Sequence, residues 1–157
     1  IILINRNHPD IRKCMFDSNP ISQENHEAWF SRICMDTTKR SFVFEEQGEI
    51  RGIVNFTKLD SLRGAEWGFY TFPSSSKGTG TRLGIAAIDK YFLEFGGRKL
   101  NAEVLSTNPR SVSFHLKLGF LVEGKIRGAH FLNNQYLDIH LFGIFKDEWL
   151  LHRRSLI

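Results

Sequence analysis

Cysteine is scarce: Cys14 and Cys34 are the only two in a chain of 157 residues. Two thiols without a second pair exclude a disulfide framework and a thiolate metal knot. They fit a reduced, cytoplasmic protein that needs no metal. Proline is scarce as well, with four residues, and no proline-rich linker interrupts the chain. No apolar run approaches the ~20 residues of a membrane span, and no charged-then-apolar leader opens the sequence. No membrane partner is therefore expected. Charge of one sign is not concentrated either. Lys and Arg number 21 against 17 Asp and Glu, for a net charge of +4, and only His152-Arg153-Arg154 forms a basic cluster. That scatter argues against nucleic acid as a partner. It suits attraction of a small polyanion carrying several phosphates.

What is abundant is phenylalanine, at 14 copies within a 41% hydrophobic composition. A sizeable core can form without cross-links, and residues 1–157 read as a single domain. The chain opens on Ile1-Ile2-Leu3-Ile4, which reads as the end of an apolar element, so an N-terminal strand is expected to precede this numbering. Ser22 caps a predicted helix over Gln23 to Ile33. Strands are predicted at Ser41–Glu45 and Glu49–Phe56, joined at Gln47-Gly48, and at Ala65–Phe72. The period then changes: Leu83, Ala86, Ala87, Tyr91 and Phe95 lie on one helical stripe between Thr81 and Phe95. A strand over Lys99–Leu105 follows. Asn108 before Pro109 is an N-cap with proline at the first helical position, and that helix ends at Gly119. Two last strands, about 120–131 and 135–145, turn at Asn133-Asn134. The order predicts an α/β (α+β) domain with a mixed sheet flanked by helices.

Two stretches carry chemistry. In the first, Tyr70-Thr71-Phe72-Pro73-Ser74-Ser75-Ser76-Lys77-Gly78-Thr79-Gly80-Thr81-Arg82, a strand runs through a glycine-bearing loop into a helix. Gly78 and Gly80 allow a tight turn and a close approach. The first helical amides and the helix dipole then make an anion site suited to a pyrophosphate. Lys77, Thr79 and Thr81 add charge and hydrogen bonds. A dinucleotide fingerprint is excluded by the spacing after Gly80, and a Walker loop by the missing Gly-Lys-Ser/Thr end.

The second stretch is Asn108-Pro109-Arg110-Ser111-Val112-Ser113-Phe114-His115-Leu116-Lys117-Leu118-Gly119-Phe120. It resembles the GNAT acetyltransferase pattern of Asn, a small residue three later, an aromatic or polar residue seven later, and Leu-Gly-Phe. The preceding loop resembles that superfamily's Arg/Gln-x-x-Gly-x-Gly/Ala motif. Placed from Lys77, the motif puts Lys77 where Arg or Gln is usual and Arg82 where a small residue is usual. His115 stands where the superfamily usually has Tyr.

The resemblance implies a splayed, mostly antiparallel sheet with the pantetheine arm of acetyl-CoA in the gap. Phe69, Tyr70 and Thr71 would pair with the arm, an amide there would stabilise an oxyanion, and Asn108 and Ser111 would contact the cofactor. A base must take the amine's proton, and Glu66 and Glu103 are the candidates, one on each splayed strand. His115 is the candidate donor to the leaving thiolate, because a free imidazole titrates near neutrality.

The N-terminal run Arg6-Asn7-His8-Pro9, followed by Met15-Phe16, His26 and Trp29, resembles the N-acetyltransferases of pseudaminic acid biosynthesis (PseH type). The implied partner is an amino-sugar nucleotide, a UDP-linked 4-amino-4,6-dideoxy sugar. Arg6, Asn7, His8, Met15, His26 and Trp29 would then bind the acceptor. Similar starts occur in acetyltransferases of protein N-termini, and a CoA-binding module without catalysis is the third alternative. Pairing of the last strands of two chains would give a homodimer.

Overall fold

Six strands form one sheet in the order β1-β2-β3-β4-β6-β5 in the computed structural model, which describes residues 1–156. Three helices come first: α1 (Ile2–Arg6), α2 (Pro9–Arg12) and α3 (Gln23–Met35). The strands β1 (Arg40–Glu46), β2 (Glu49–Thr57) and β3 (Ala65–Thr71) follow as an antiparallel meander. Helix α4 (Thr79–Asp89) leads to β4 (Lys99–Leu105) and α5 (Pro109–Lys117). The chain closes with the hairpin β5 (Leu121–Leu132) and β6 (Gln135–Phe145) and with α6 (Lys146–His152). The element order predicted from Ser22 onwards matches this sheet flanked by helices. The opening apolar run forms a short helix, Ile2–Arg6. A brief apolar run carries no period that separates strand from helix.

Local chemistry explains the boundaries. Ser22 accepts the amide of Asn25, and Asn108 accepts that of Ser111 with Pro109 at the first helical position. Gln47-Gly48 and Asn133-Asn134 each have positive φ at both residues, the conformation that a two-residue hairpin turn requires. Helix α4 does not end at Asp89 but continues as a π-helical turn over Lys90–Glu94. The widened turn turns Tyr91 toward the starts of β3 and β4. Its hydroxyl accepts from the Ala65 amide at 3.3 Å and donates to the Lys99 carbonyl at 2.8 Å.

The core lies between the sheet and α4, α5 and α6, and includes Phe56, Leu83, Ile88, Phe92, Leu100, Phe120, Phe142, Ile144 and Trp149. Strand β5, not β6, is the outer strand of its edge, so pairing of chains through this hairpin would use β5. Among the described residues no helix is long and apolar enough to cross a membrane.

Candidate active site

The site begins where two parallel strands part. Strands β3 and β4 pair only at Ala65↔Leu100 and Glu66↔Asn101, whereas β2 pairs β3 from Glu66 to Thr71 and β6 pairs β4 along its whole length. The edge of β3 from Trp67 to Thr71 therefore has no strand partner on its β4 side. A cavity of about 360 Å³ fills this opening. Its walls are Trp67 to Thr71 of β3, Glu103 to Leu105 of β4, the start of α5, and Asp10 to Phe16 after α1. Phe69, Tyr70, Thr71, Gly80, Asn108, Ser111, Glu103, His115 and Met15, all singled out in the sequence, meet in this lining.

The helix start beyond β3 has the features of an anion site. Gly78 is the N-cap of α4 at φ 90°, a left-handed conformation that favours glycine. The amides of Gly80 and Thr81 have no protein acceptor among the described residues. Buried Thr79 donates through Oγ1 to Glu46 at 2.9 Å, and the Arg82 guanidinium pairs with the same carboxylate. Lys117 of α5 donates to Thr81 Oγ1 at 3.2 Å and adds a cation to this first turn. The glycine geometry also corrects the motif's placement. Gly78 and Gly80 are the two glycines of x-x-Gly-x-Gly, which puts Ser75, not Lys77, at the first position. Arg82 then lies outside the motif, one turn into the helix, with its guanidinium folded back over the loop to donate to Ser76 at 3.3 Å and Thr79 at 3.1 Å.

His115 is buried at 3% exposure, inside a cage of Trp67, Phe69, Phe114, Phe120 and Phe142. Its Nδ1 lies 2.7 Å from the Ser111 carbonyl, which can only accept. The proton therefore sits on Nδ1. Burial pushes the imidazole down to about 4, only partly opposed by that carbonyl. The expectation of an imidazole that titrates near neutrality is thus corrected: the ring is neutral at pH 7 and its one N–H is already engaged. Tyr70 differs. Burial pushes its phenol up to about 12 against the pull of the Arg6 guanidinium, so it carries its proton throughout the neutral range.

The two carboxylates separate. Glu103 lines the cavity and forms no ion pair among the described residues. Glu66 does not line it; it sits at the last paired position before the strands part, and its carboxylate lies 2.5 Å from Lys58 Nζ. The acceptor candidates also divide. Arg6 donates to the Asp17 carbonyl, Asn7 holds both backbone groups of Ile21, and His8 caps α2, so these residues shape the chain between α1 and α3. His26 stacks on Trp29 at 5.5 Å on α3, and neither lines the cavity. Lys77 is exposed on the loop.

Ile11, Arg110 and Phe114 line the cavity without having stood out in the sequence. Glu46 and Lys117 were also missed, because their partners Arg82 and Thr81 each lie 36 residues away. A lysine in the last turn of α5 was the only local signal.

These features fit acetyl-CoA. The unpaired β3 edge can take the amide groups of the pantetheine arm, and the free amides of α4 with Lys117 and Arg82 can take the pyrophosphate. The chain matches the acetyltransferase (GNAT) domain family over residues 2–141. It is 31% identical over 122 residues to the spermidine N(1)-acetyltransferase of Escherichia coli K12, spanning 76% of this chain and 66% of that enzyme, just under two thirds of its length. It is 26% identical over 117 residues to the acetyltransferase PseH of Campylobacter jejuni strain 81-176, spanning 74% and 73%. The structure of spermidine N-acetyltransferase from Vibrio cholerae in complex with CoA and spermine superposes with a TM-score of 0.86 at 25% identity, covering 95% of this chain and 90% of that one. Identity to the spermidine enzyme thus exceeds identity to PseH, which the N-terminal run had suggested. Splayed strands, glycine-capped helix and family match agree: the chain belongs to the GNAT acetyltransferases and is an acetyl-CoA-dependent amine N-acetyltransferase.

Proposed function

We propose that the acceptor is a small primary amine of the polyamine kind, which enters the cavity from the side of Asp10 to Phe16. The observation that carries this reading is Glu103, an exposed carboxylate in the wall of the cavity that has no ion-pair partner among the described residues. It suits an ammonium group. Asp10 adds a second carboxylate, shared with Lys13 at 2.5 Å. Among the described residues Arg110 is the one Lys or Arg of the lining, a poor cradle for the diphosphate of a nucleotide sugar.

Bound acetyl-CoA supplies the thioester whose acyl carbon the amine attacks. An alkyl amine attacks only when neutral, and it becomes acidic as its new bond forms. Glu103 receives that proton, directly or through water. Amides on the free edge of β3 donate to the oxygen on which negative charge develops. The Tyr70 phenol holds a proton for the departing sulfur. His115 stays neutral and keeps its aromatic cage and the first turns of α5 in place.

The amino-sugar reading draws on the relation to PseH and on the apolar wall of Met15 and Phe16. The two readings part on Glu103. Glu103→Gln should raise the KM for spermidine by about threefold or more, since one exposed charge contact in the cavity wall is lost, while the affinity for acetyl-CoA stays unchanged. An unchanged KM for spermidine would remove the carboxylate from acceptor binding and leave the polyamine reading without its support.

A further inference from the structure

The parting of β3 and β4 has a closed end, and one side chain fills it. The last paired residues are Glu66 and Asn101, and Trp67 is the first residue beyond them. Its ring is 6% exposed and lies on the helix side of the sheet. It stacks on Phe120 at 5.7 Å with a 4° interplanar angle and on Phe69 at 4.9 Å, with His115 edge-on at 5.7 Å. The junction below it is held by side chains from both directions. Tyr91 bridges Ala65 and Lys99, and the Asn101 amide donates to the carbonyls of Arg63 at 3.0 Å and Ala65 at 3.2 Å. The closed end therefore cannot widen without breaking these bonds. Next to it, Gly68 faces the other side of the sheet, where an added Cβ would meet nothing within 4 Å.

The anion site of α4 lies past the far, open end of the same cavity, which runs from Gly80 to Trp67. A cofactor anchored there by its pyrophosphate points its acyl end toward the closed end. We propose that Trp67 determines which acyl group the enzyme takes. Its ring is the floor of the acyl subsite, set so that a two-carbon acyl group fits and each further methylene collides with an aromatic stack that cannot give way. The acceptor amine reaches the acyl carbon from the open Gly68 side. This inference rests on the cofactor being held in the splay, and it adds a residue that limits acyl length.

Calorimetric titration with CoA, acetyl-CoA, propionyl-CoA and butyryl-CoA tests it without an acceptor. The wild-type protein should bind butyryl-CoA about tenfold or more weakly than acetyl-CoA, because overpacking a dense aromatic floor is unfavourable. Trp67→Ala should shift the butyryl-to-acetyl affinity ratio by about tenfold or more toward butyryl, as the vacated space takes the added methylenes. Trp67→Phe keeps an aromatic stack in the core and should admit propionyl-CoA preferentially. Affinity for CoA itself, which has no acyl group, should be the same in all three proteins. Equal wild-type affinity for acetyl-CoA and butyryl-CoA would overturn the proposal, as would an unchanged ratio in folded Trp67→Phe. Loss of CoA binding by the wild type would instead overturn the placement of the cofactor, and the proposal with it.

Discussion

His115 donates from Nδ1 to the carbonyl of Ser111, one helical turn earlier, at 2.7 Å. That bond fixes the tautomer, and burial holds the ring at about 4 instead of the ordinary 6.5. The folded state thus binds this proton less readily than the unfolded chain. The contribution to stability is fully present above pH 6.5 and is lost as the pH falls from 6.5 toward 4. A difference of that size corresponds to about 3 kcal/mol. Urea unfolding across this range should show the loss, and a His115→Phe variant should show a correspondingly flatter dependence. An imidazole that titrates near 6.5 by NMR would contradict the burial.

Mutation of the histidine should also leave the pH profile of kcat without a missing limb near 6.5. In the mechanism proposed for this site, Tyr70 is the proton donor to the sulfur. Tyr70→Phe should lower kcat by about a hundredfold, at the low end of the general-acid range, with acetyl-CoA affinity nearly intact. Equal kcat in Tyr70→Phe, measured with chemistry rate-limiting, would assign the proton to water.

The two loop glycines should respond differently. A Cβ on Gly80 would meet Phe114 at 3.7 Å and Thr71 at 3.9 Å, ordinary contacts, so Gly80→Ala should fold normally. Gly80 holds the motif position that Ala also occupies, so CoA affinity should stay near wild type in that variant, whereas the branched Gly80→Val should weaken CoA by about tenfold by obstructing the approach to the helix amides. Gly78→Ala should cost stability, since Gly78 has φ +90° and a Cβ would lie 2.8 Å from an Arg82 nitrogen. Lys77→Ala removes only an exposed charge and should matter less than Gly80→Val or Gly78→Ala. Calorimetric titration with CoA beside urea unfolding separates these effects.

Tyr91→Phe keeps the ring and deletes the bridge across the strand junction. It leaves the Ala65 amide and the Lys99 carbonyl without that partner, at a cost of about 1–3 kcal/mol. Urea unfolding should register that loss. A stability equal to wild type would mean that the two strands hold their junction unaided.

Much of this architecture is written locally. Gln47-Gly48 and Asn133-Asn134 specify their turns, Asn108-Pro109 specifies a helix start, and the Leu83-to-Tyr91 stripe specifies the core face of α4. What escaped depends on distance along the chain. His115 reads as a titrating proton donor until Trp67 of β3, Phe142 of β6 and Phe120 just before β5 close around it. Arg82 reads as a departure from a motif until Glu46, 36 residues earlier, pairs with it. The π turn that aims Tyr91 at the strand junction leaves no mark in a hydrophobic period. The acceptor candidates divide for a related reason: Met15 lines the cavity, whereas Arg6, Asn7, His8, His26 and Trp29 do not. Asn7 and His8 look like ligand-binding polar groups, but their hydrogen bonds are spent on the backbone around them.

Acetyl transfer to a small cationic amine is the reaction proposed for this site. The most direct measurement is release of free CoA from acetyl-CoA in the presence of spermidine, of a UDP-linked 4-amino-4,6-dideoxy sugar and of an N-terminal peptide, each at the same concentration. The highest kcat/KM is expected with spermidine, with a loss of that advantage in Glu103→Gln. Turnover of the nucleotide sugar or the peptide with spermidine inert would contradict it.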